Sequence, residues 1–129
     1  MRIYVAAKWE LRARAQDVMH DLVQFRHTIT YDWTVVEQES AVQAVKDAEG
    51  VQTADVLVLI AEEDVPYAGA LVELGIAIGC GIPVFVLGTA PITRRCIFMK
   101  HPLVYFIDDI TQLIDWLKIE SLPARRALA

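Results

Sequence analysis

Residues 54–88 constrain the fold more than any other stretch of this sequence. Two short apolar runs, 54–61 (ADVLVLIA) and 82–88 (IPVFVLG), flank an acidic loop and a helix-forming segment at 70–78. Short apolar runs separated by a helix are typical of parallel strands that are buried on both faces of a sheet. The stretch therefore predicts a strand–helix–strand unit at the centre of the protein.

The helix predicted at 70–78 is apolar on nearly every side, and Glu73 is its one carboxylate. An all-round apolar helix is buried within its own chain or against a partner subunit. A carboxylate on such a helix is costly unless it is paired or reaches an open cleft. We expect Glu73 in roughly the first helical turn, where the helix dipole favours an anion. It is therefore either held at the mouth of a pocket for chemistry or turned towards solvent as an N-terminal charge.

The rest of the chain alternates strands and helices in the same way. Three further apolar runs predict strands at 2–7, 27–31 and 103–107. Helical periodicity predicts helices at 9–26, about 39–49 and 108–117. The apolar residues expected to face the core from these helices are Leu11, Ala15, Val18, Met19, Leu22, Phe25, Val42, Val45, Ala48, Ile110, Leu113, Ile114 and Leu117.

This alternation predicts an α/β fold of the flavodoxin-like, doubly wound type. Because crossovers between parallel strands are right-handed, few topologies are open, and we expect a five-stranded parallel sheet in the order 2-1-3-4-5. We assign 1–118 to a single domain and 119–129 to a C-terminal tail. Gly69, Gly75, Gly79 and Gly81 are interpreted as sites of close helix packing rather than as a phosphate-binding loop.

Composition and cysteine usage exclude several classes of function. With 129 residues, 55% of them hydrophobic, and a net charge of −5, the chain is expected to form one globular domain and not to bind long nucleic acid. No apolar run approaches the roughly 20 residues that span a bilayer, and no signal peptide precedes the first strand, so we expect a cytoplasmic protein with no membrane contact. Cys80 and Cys96 form no disulfide framework. We predict no metal and no cofactor, because metal spacing and a dinucleotide fingerprint are both absent.

The predicted sheet order places a ligand crevice beyond the carboxyl ends of the first and third strands. The residues expected to bind substrate there are Ala6, Ala7, Lys8, Trp9, Asp32, Trp33, Tyr67 and Gly69. The acidic loop at 62–64 either binds a cation or is solvated, and we favour the solvated interpretation. Trp9 and Trp33 are either ordinary core aromatics or platforms on which a planar base stacks.

Two carboxylates near such a crevice suit glycosyl transfer or hydrolysis, with one as nucleophile and the other as acid or orienting group. Glu73 and Asp47 form the best pair, because the other acidic residues lie on predicted helix surfaces or in the 62–64 loop. Asp47 is expected near the C-terminal end of its helix, where the dipole disfavours a carboxylate.

Several short segments carry a family resemblance in their order and spacing. They are 3–7 (IYVAA), 31–34 (YDWT), Asp47 seven residues before 54–55, and 69–75 (GALVELG) leading into 81–84 (GIPV). Together, over roughly 2–117, they resemble the nucleoside 2-deoxyribosyltransferase family and the related 2′-deoxynucleoside 5′-phosphate N-hydrolases. The Glu-Leu-Gly sequence followed by a strand that opens on proline is the most specific part.

The resemblance implies a retaining double displacement at the N-glycosidic bond of a nucleoside or nucleotide. Glu73 would attack C1′, Tyr4 would orient that carboxylate, and Asp47 would help to protonate the leaving base. In this family the segment that corresponds to 97–99 enters a neighbouring subunit's site, and Met99 matches the family's methionine. The resemblance thus implies a homo-oligomer with shared active sites and a small-molecule substrate.

The sequence departs from both branches of the family. The transferases carry an aspartate where Tyr67 stands and an asparagine where Ile97 stands, and the hydrolases have serines at both positions. The hydrolases also have a Gly-Ser-rich turn after the first strand, where this chain reads AKW from Ala7. Lys8 or Arg94 is a candidate for holding a 5′-phosphate.

Three other functions stay open at this point. The enzyme could be a hydrolase rather than a transferase, which depends only on whether water or a second base accepts the sugar. A non-catalytic nucleotide-binding or sensing module would share the fold without the chemistry. A structural oligomer would use the apolar Glu73 helix only as an interface.

Overall fold

The computed structural model describes residues 1–36, 40–63, 68–88 and 95–118, and it confirms the predicted α/β fold. Five parallel strands form one sheet in the order β2-β1-β3-β4-β5. The strands are β1 (Arg2–Ala6), β2 (Thr28–Ile29), β3 (Val56–Ile60), β4 (Val84–Leu87) and β5 (Val104–Ile107). The helices are α1 (Arg12–Gln24), α2 (Ala41–Gln52), α3 (Ala68–Gly79) and α4 (Ile110–Leu117). Short 3₁₀ helices cover Trp9–Leu11, Trp33–Val35 and Ile97–Lys100.

Strands β3 and β4 form the centre of the core, and every side chain on them is buried. This burial on both faces explains why their sequences are continuously apolar rather than alternating. The register aligns Ala6 of β1 with Leu59 of β3. The carboxyl ends of these two strands therefore lie side by side, at the point where the chain reverses its direction across the sheet.

The helices cover both faces of the sheet. Tyr4 projects from β1 towards α2 and α3, as its contacts with Gly50 and Glu73 show. Phe85 lies on the opposite face, where its ring packs 5.9 Å from that of Trp116 on α4. The right-handed crossover rule puts α1 on this second face as well. Tyr4 and helices α2 and α3 therefore share one face of the sheet.

The predicted inward face of α2 is wrong. Val42 and Val45 are 58% and 55% exposed, whereas Gly50 and Val51 are buried. Strand β2 has only two residues, which leaves little sheet for the N-terminal half of α2 to cover. Phe25, predicted to face the core from the end of α1, is also exposed.

Against the remainder of the described chain, the glycines of α3 do not make the predicted close packing. A Cβ atom added at Gly69, Gly75 or Gly79 would meet no atom there within 4 Å. Gly75 and Gly79 instead lie on an exposed side of α3. Gly81, which ends the same segment, has a φ of 70°, so its role is to turn the chain after the helix.

None of the helices in the described ranges is long and apolar enough to cross a membrane. The predicted tail at 119–129 lies outside the residues that the structure describes.

Candidate active site

A cleft of about 900 Å³ lies at the predicted switch point, beyond the carboxyl ends of β1 and β3. Four parts of the chain form its wall: the turn after β1, the segment after β2, helix α2 and helix α3. The lining residues are Ala7, Lys8, Trp9, Glu10, Trp33, Val36, Gln43, Ala44, Asp47, Ala48, Ala68, Gly69, Ala70, Val72, Glu73 and Ile76. Its volume suits a nucleoside-sized ligand.

Tyr4 and Glu73 form a hydrogen-bonded pair at the floor of the cleft. Tyr4 is completely buried in β1, and its hydroxyl donates to Oε2 of Glu73. Burial, followed by the negative charge of Glu73 and this hydrogen bond, raises the pKa of Tyr4 far above its ordinary value. The phenol is therefore neutral and acts as a fixed donor to the carboxylate.

Glu73 is the sixth residue of the described helix α3, not a residue of its first turn as predicted. The helix dipole acts mainly within the first turn, so it gives this carboxylate little support. Burial raises the pKa of Glu73 to about 7; the Tyr4 hydrogen bond opposes this rise and the charge of Asp47 adds to it. Near neutral pH roughly half of the Glu73 side chains are therefore ionised.

Asp47 is the seventh of the twelve residues of α2, so it lies in the middle of the helix rather than near its end. Its atom Oδ1 is buried and has no hydrogen-bond partner within the described residues. Burial raises the pKa of Asp47, which corrects the helix-dipole explanation given for it above. A carboxyl group with a raised pKa and a bare oxygen on a cleft is suited to hold and deliver a proton.

Trp9 and Trp33 form an aromatic wall, with ring centroids 6.2 Å apart and planes tilted by 48°. The Trp33 indole donates to the carbonyl of Val5 at 2.7 Å. That carbonyl points towards β2, which ends before it could supply a partner, so the indole replaces a missing strand residue. Trp33 is thereby fixed, while Trp9 is 45% exposed with the guanidinium of Arg12 4.6 Å from its ring centre.

The other predicted binding residues separate into two groups. Ala7, Lys8 and Gly69 line the cleft. Ala6 is buried within β1, and Asp32 turns its carboxylate to the backbone amide of Thr34 at 2.9 Å, where it caps the 3₁₀ helix. The structure therefore does not bring Ala6 and Asp32 to the cleft wall.

Met99 lies in the hydrophobic core of its own chain and is only 4% exposed. Its side chain therefore packs within its own chain, and its place in a neighbouring subunit's site stays a prediction. Its neighbours Ile97 and Phe98 are exposed instead. Tyr67 and Arg94 lie outside the described residues.

Sequence reasoning missed a hydrogen bond at the cleft between Gln43, which lines it, and Tyr31, which lies behind it. Gln43 lines the cleft, and the hydroxyl of Tyr31 donates to its Oε1 atom. Burial, and then the charges of Asp47 and Asp32, raise the pKa of Tyr31, which keeps its phenol protonated. The available signal was spacing, because Gln43 precedes Asp47 by one helical turn and the two share a helix face.

Solved structures with this fold include known enzymes. A CMP N-glycosidase from Clostridium botulinum, BcmB, is 18% identical with a TM-score of 0.60, and the alignment covers 92% of this chain and 98% of that one. A 2-deoxyribosyltransferase from Bacillus psychrosaccharolyticus is 21% identical with a TM-score of 0.64 over 96% and 97% of the two chains. A conserved protein from Enterococcus faecalis V583 gives 18% and 0.60 over 92% and 97%.

No protein-family model and no curated protein matches the sequence. At the identities of the structural neighbours, the likeness establishes architecture rather than activity. This chain has the fold that a CMP N-glycosidase and a 2-deoxyribosyltransferase share.

Proposed function

We propose that this protein is an enzyme that cleaves or transfers at the N-glycosidic bond of a nucleoside or nucleoside 5′-monophosphate, with Glu73 as nucleophile. The observation that carries the proposal is the contact between the buried Tyr4 hydroxyl and the Glu73 carboxylate on a cleft that Asp47 also lines. An oriented carboxylate and a second carboxyl group with a raised pKa are the two groups that retaining glycosyl chemistry needs. The activities of the two named structural neighbours agree with this chemistry.

In the first step the ionised Glu73 carboxylate attacks C1′ of the sugar, and the bond from C1′ to the base nitrogen breaks. The electron pair of that bond goes to the base, and Asp47 donates its proton to a base nitrogen or oxygen. In the second step water, or another base, attacks C1′ and releases Glu73, while Asp47 takes up the proton of the acceptor. At the end of the second step Glu73 is again an ionised carboxylate and Asp47 is again protonated.

The Tyr4 hydroxyl holds Glu73 in position throughout this cycle and lowers its pKa, so that more of it is ionised. The Trp9–Trp33 wall offers a face on which a planar base stacks. Lys8 lies on the same wall, with its Nζ atom 3.8 Å from Glu10, and is the candidate partner for a 5′-phosphate.

We also propose that the protein forms a homo-oligomer. Val42, Val45 and Val72 are exposed on the adjoining helices α2 and α3, and Gly75 and Gly79 are exposed on α3. Apolar and small residues on neighbouring helices suit close contact with another copy of the chain. In such an assembly the exposed pair Ile97 and Phe98 would extend towards a neighbouring cleft. We place the enzyme in the cytoplasm, where nucleotides are made and used.

Chromatography of a substrate panel tests the activity. Ribo- and deoxyribonucleosides and their 5′-monophosphates would be incubated with the wild type and with Glu73→Gln, with and without a second free base. We expect base release or base exchange by the wild type, reduced at least about a thousandfold in Glu73→Gln. Dependence on the second base separates a transferase from a hydrolase. Turnover that persists in Glu73→Gln would contradict the assignment of Glu73 as nucleophile. Binding of a nucleoside or nucleotide by the wild type without turnover would favour a sensing module.

A further inference from the structure

The contact between Tyr31 and Gln43 determines which side of the Gln43 amide is available to a ligand. The Tyr31 hydroxyl donates to Oε1 of Gln43. The amide oxygen is therefore occupied, and within the described part of the chain no acceptor contacts Nε2. The side chain thus offers N–H donors to the cleft that it lines.

Tyr31 is well placed to keep this orientation. Its Cβ atom packs against Gly50, where an added Cβ would approach it to 2.9 Å. The nearby carboxyl groups of Asp47 and Asp32 both disfavour ionisation of the phenol, so the hydroxyl remains a donor. In this geometry the phenol donates to Oε1, so within the described residues the N–H groups of Nε2 are the ones left for a ligand.

Gln43 and Asp47 lie one turn apart on the same face of α2, and both line the cleft. The bare Oδ1 of Asp47 provides an acid or acceptor, and Nε2 of Gln43 provides a donor beside it. The Trp9–Trp33 wall supplies the apolar surface for the face of a ring. A planar heterocycle with a hydrogen-bond acceptor on its edge satisfies all three groups at once.

We propose that Gln43 reads the base of the substrate by donating to a ring nitrogen or carbonyl oxygen, and that Tyr31 is the residue that positions it. The inference rests on the proposed function for the identity of the ligand as a nucleobase. It goes beyond that function by assigning base recognition to α2 and by requiring an acceptor on the edge of the base that faces this helix.

Binding of free bases tests the proposal without any need for catalysis. Adenine and cytosine would be titrated while the fluorescence of Trp9 and Trp33 is followed, beside 3-deazaadenine, 7-deazaadenine and 2-thiocytosine, in which one acceptor is lost or weakened. The variants are Gln43→Glu, Gln43→Leu, Tyr31→Phe and the double variant of the last two. Gln24→Glu and Tyr105→Phe serve as controls away from the cleft.

We expect the base that binds best to lose about tenfold in affinity in both Gln43 variants and a few-fold in Tyr31→Phe. Tyr31→Phe should add nothing in the Gln43→Leu background, because the hydroxyl acts through the amide. An analogue that lacks the contacted acceptor should bind the wild type about tenfold more weakly than its parent, and this difference should vanish in Gln43→Leu.

Unchanged affinity in the Gln43 variants, equal losses in the controls, or no base binding by the wild type would overturn the proposal. Failure of the proposed function has a different result. In that case bases bind and respond to Gln43 as described, but no nucleoside or nucleotide of the substrate panel is turned over.

Discussion

Helices α3 and α4 both cover the sheet and both bury apolar residues, yet they differ in where a carboxylate lies. On α4 Leu113 is completely buried and Asp115 is exposed, as expected for an amphipathic helix. On α3 Val72 is 65% exposed, while its neighbour Glu73 is largely buried and bonded to Tyr4. At two adjacent positions, helix α3 therefore exposes a valine and buries a carboxylate.

The difference indicates what each helix is for. Asp109 caps the N-terminus of helix α4, where its carboxylate accepts a hydrogen bond from the backbone amide of Gln112 at 2.8 Å. The apolar face of α4 completes the core. Each local feature of α4 favours stability. Burial of the Glu73 carboxylate on helix α3 lowers the stability of the fold, and losses of this kind are typical of functional sites. Helix α3 is therefore the one that holds both the proposed nucleophile, Glu73, and, at Val72, the proposed contact with another copy.

The largest expected effect contrasts the same kind of truncation on the two helices. Leu113→Ala should lower the free energy of unfolding by about 2–5 kcal/mol, because it leaves a cavity in the core. Val72→Ala should change it by less than about 0.5 kcal/mol at low protein concentration, since the side chain is exposed. Urea unfolding of both variants measures the contrast. A loss at Val72 that grows with protein concentration would show that oligomerisation buries this side chain.

The next effect comes from the buried carboxylate of α3. Because the pKa of Glu73 is about 7 in the folded protein and 4.5 is its ordinary value, the folded state holds the proton more tightly. Stability should therefore fall as pH rises from about 4.5 to 7, by roughly 3 kcal/mol for this group. Glu73→Gln lacks this loss, so it should be more stable than the wild type at pH 8 and nearly equal to it at pH 4.

Thermal and urea unfolding across this pH range would measure the difference between the two proteins. Asp115→Asn on α4 is the matched control, because that carboxylate is exposed and its ion pair with Lys118, at 3.7 Å, lies on the surface. Its effect on stability should be small. A Glu73→Gln variant that parallels the wild type at every pH would contradict the raised pKa.

Patterning in the sequence was sufficient to predict the sheet. The continuous apolar runs of β3 and β4 and the amphipathic period of α4 are local signals, and right-handed crossovers leave few ways to connect them. The inward face of α2 was mispredicted because Val42 and Val45 follow the same period as core residues. Whether a helix overhangs its sheet depends on the length of the strand beside it, here β2, and periodicity does not contain that length.

The two carboxylates of the candidate site and the hydrogen bond from Tyr4 to Glu73 were predicted from the sequence, whereas the hydrogen bond from Tyr31 to Gln43 was missed. Glu73 was detectable as a charge on an apolar helix. The Tyr31–Gln43 contact joins residues on different elements, and neither residue breaks a local pattern. The mid-helix position of Asp47 followed from a shift of two to three residues in the bounds of α2, an error that changes an electrostatic argument while leaving the helix itself correct.

The contact that fixes Glu73 is the subject of the third prediction. The Tyr4 hydrogen bond lowers the pKa of Glu73, so Tyr4→Phe should raise that pKa above its present value of about 7. The acid limb of the kcat/KM profile should move to higher pH, and kcat/KM at pH 7 should fall by about 5- to 150-fold, which corresponds to about 1–3 kcal/mol. Tyr105→Phe removes a hydroxyl from the α4 side of the sheet and should leave the profile unchanged. A lower kcat/KM whose acid limb stays at the wild-type pH would mean that Tyr4 contributes packing and does not change the pKa of Glu73.

The smallest expected effect concerns two helical glycines. A Cβ atom at Gly50 of α2 would approach the Cβ of Tyr31 to 2.9 Å and the ring of Tyr4 to 3.0 Å, whereas one at Gly75 of α3 would meet no atom of the other described residues within 4 Å. At low protein concentration Gly75→Ala should therefore stabilise the protein by about 0.5–1 kcal/mol through helix propensity alone. Gly50→Ala should lose that gain to the displaced tyrosine ring and lower kcat about two- to fivefold, because the hydroxyl no longer meets Glu73 in its native position.

The coupling between Gly50 and Tyr4 separates this positioning effect from a general loss of stability. If Gly50 acts through the tyrosine hydroxyl, Gly50→Ala should cost little further kcat in a Tyr4→Phe background, since the bond it disturbs is already gone. Steady-state kinetics of the two single variants and the double variant measure this directly. Fully additive losses would mean that Gly50 supports the fold of α2 and has no part in holding the nucleophile.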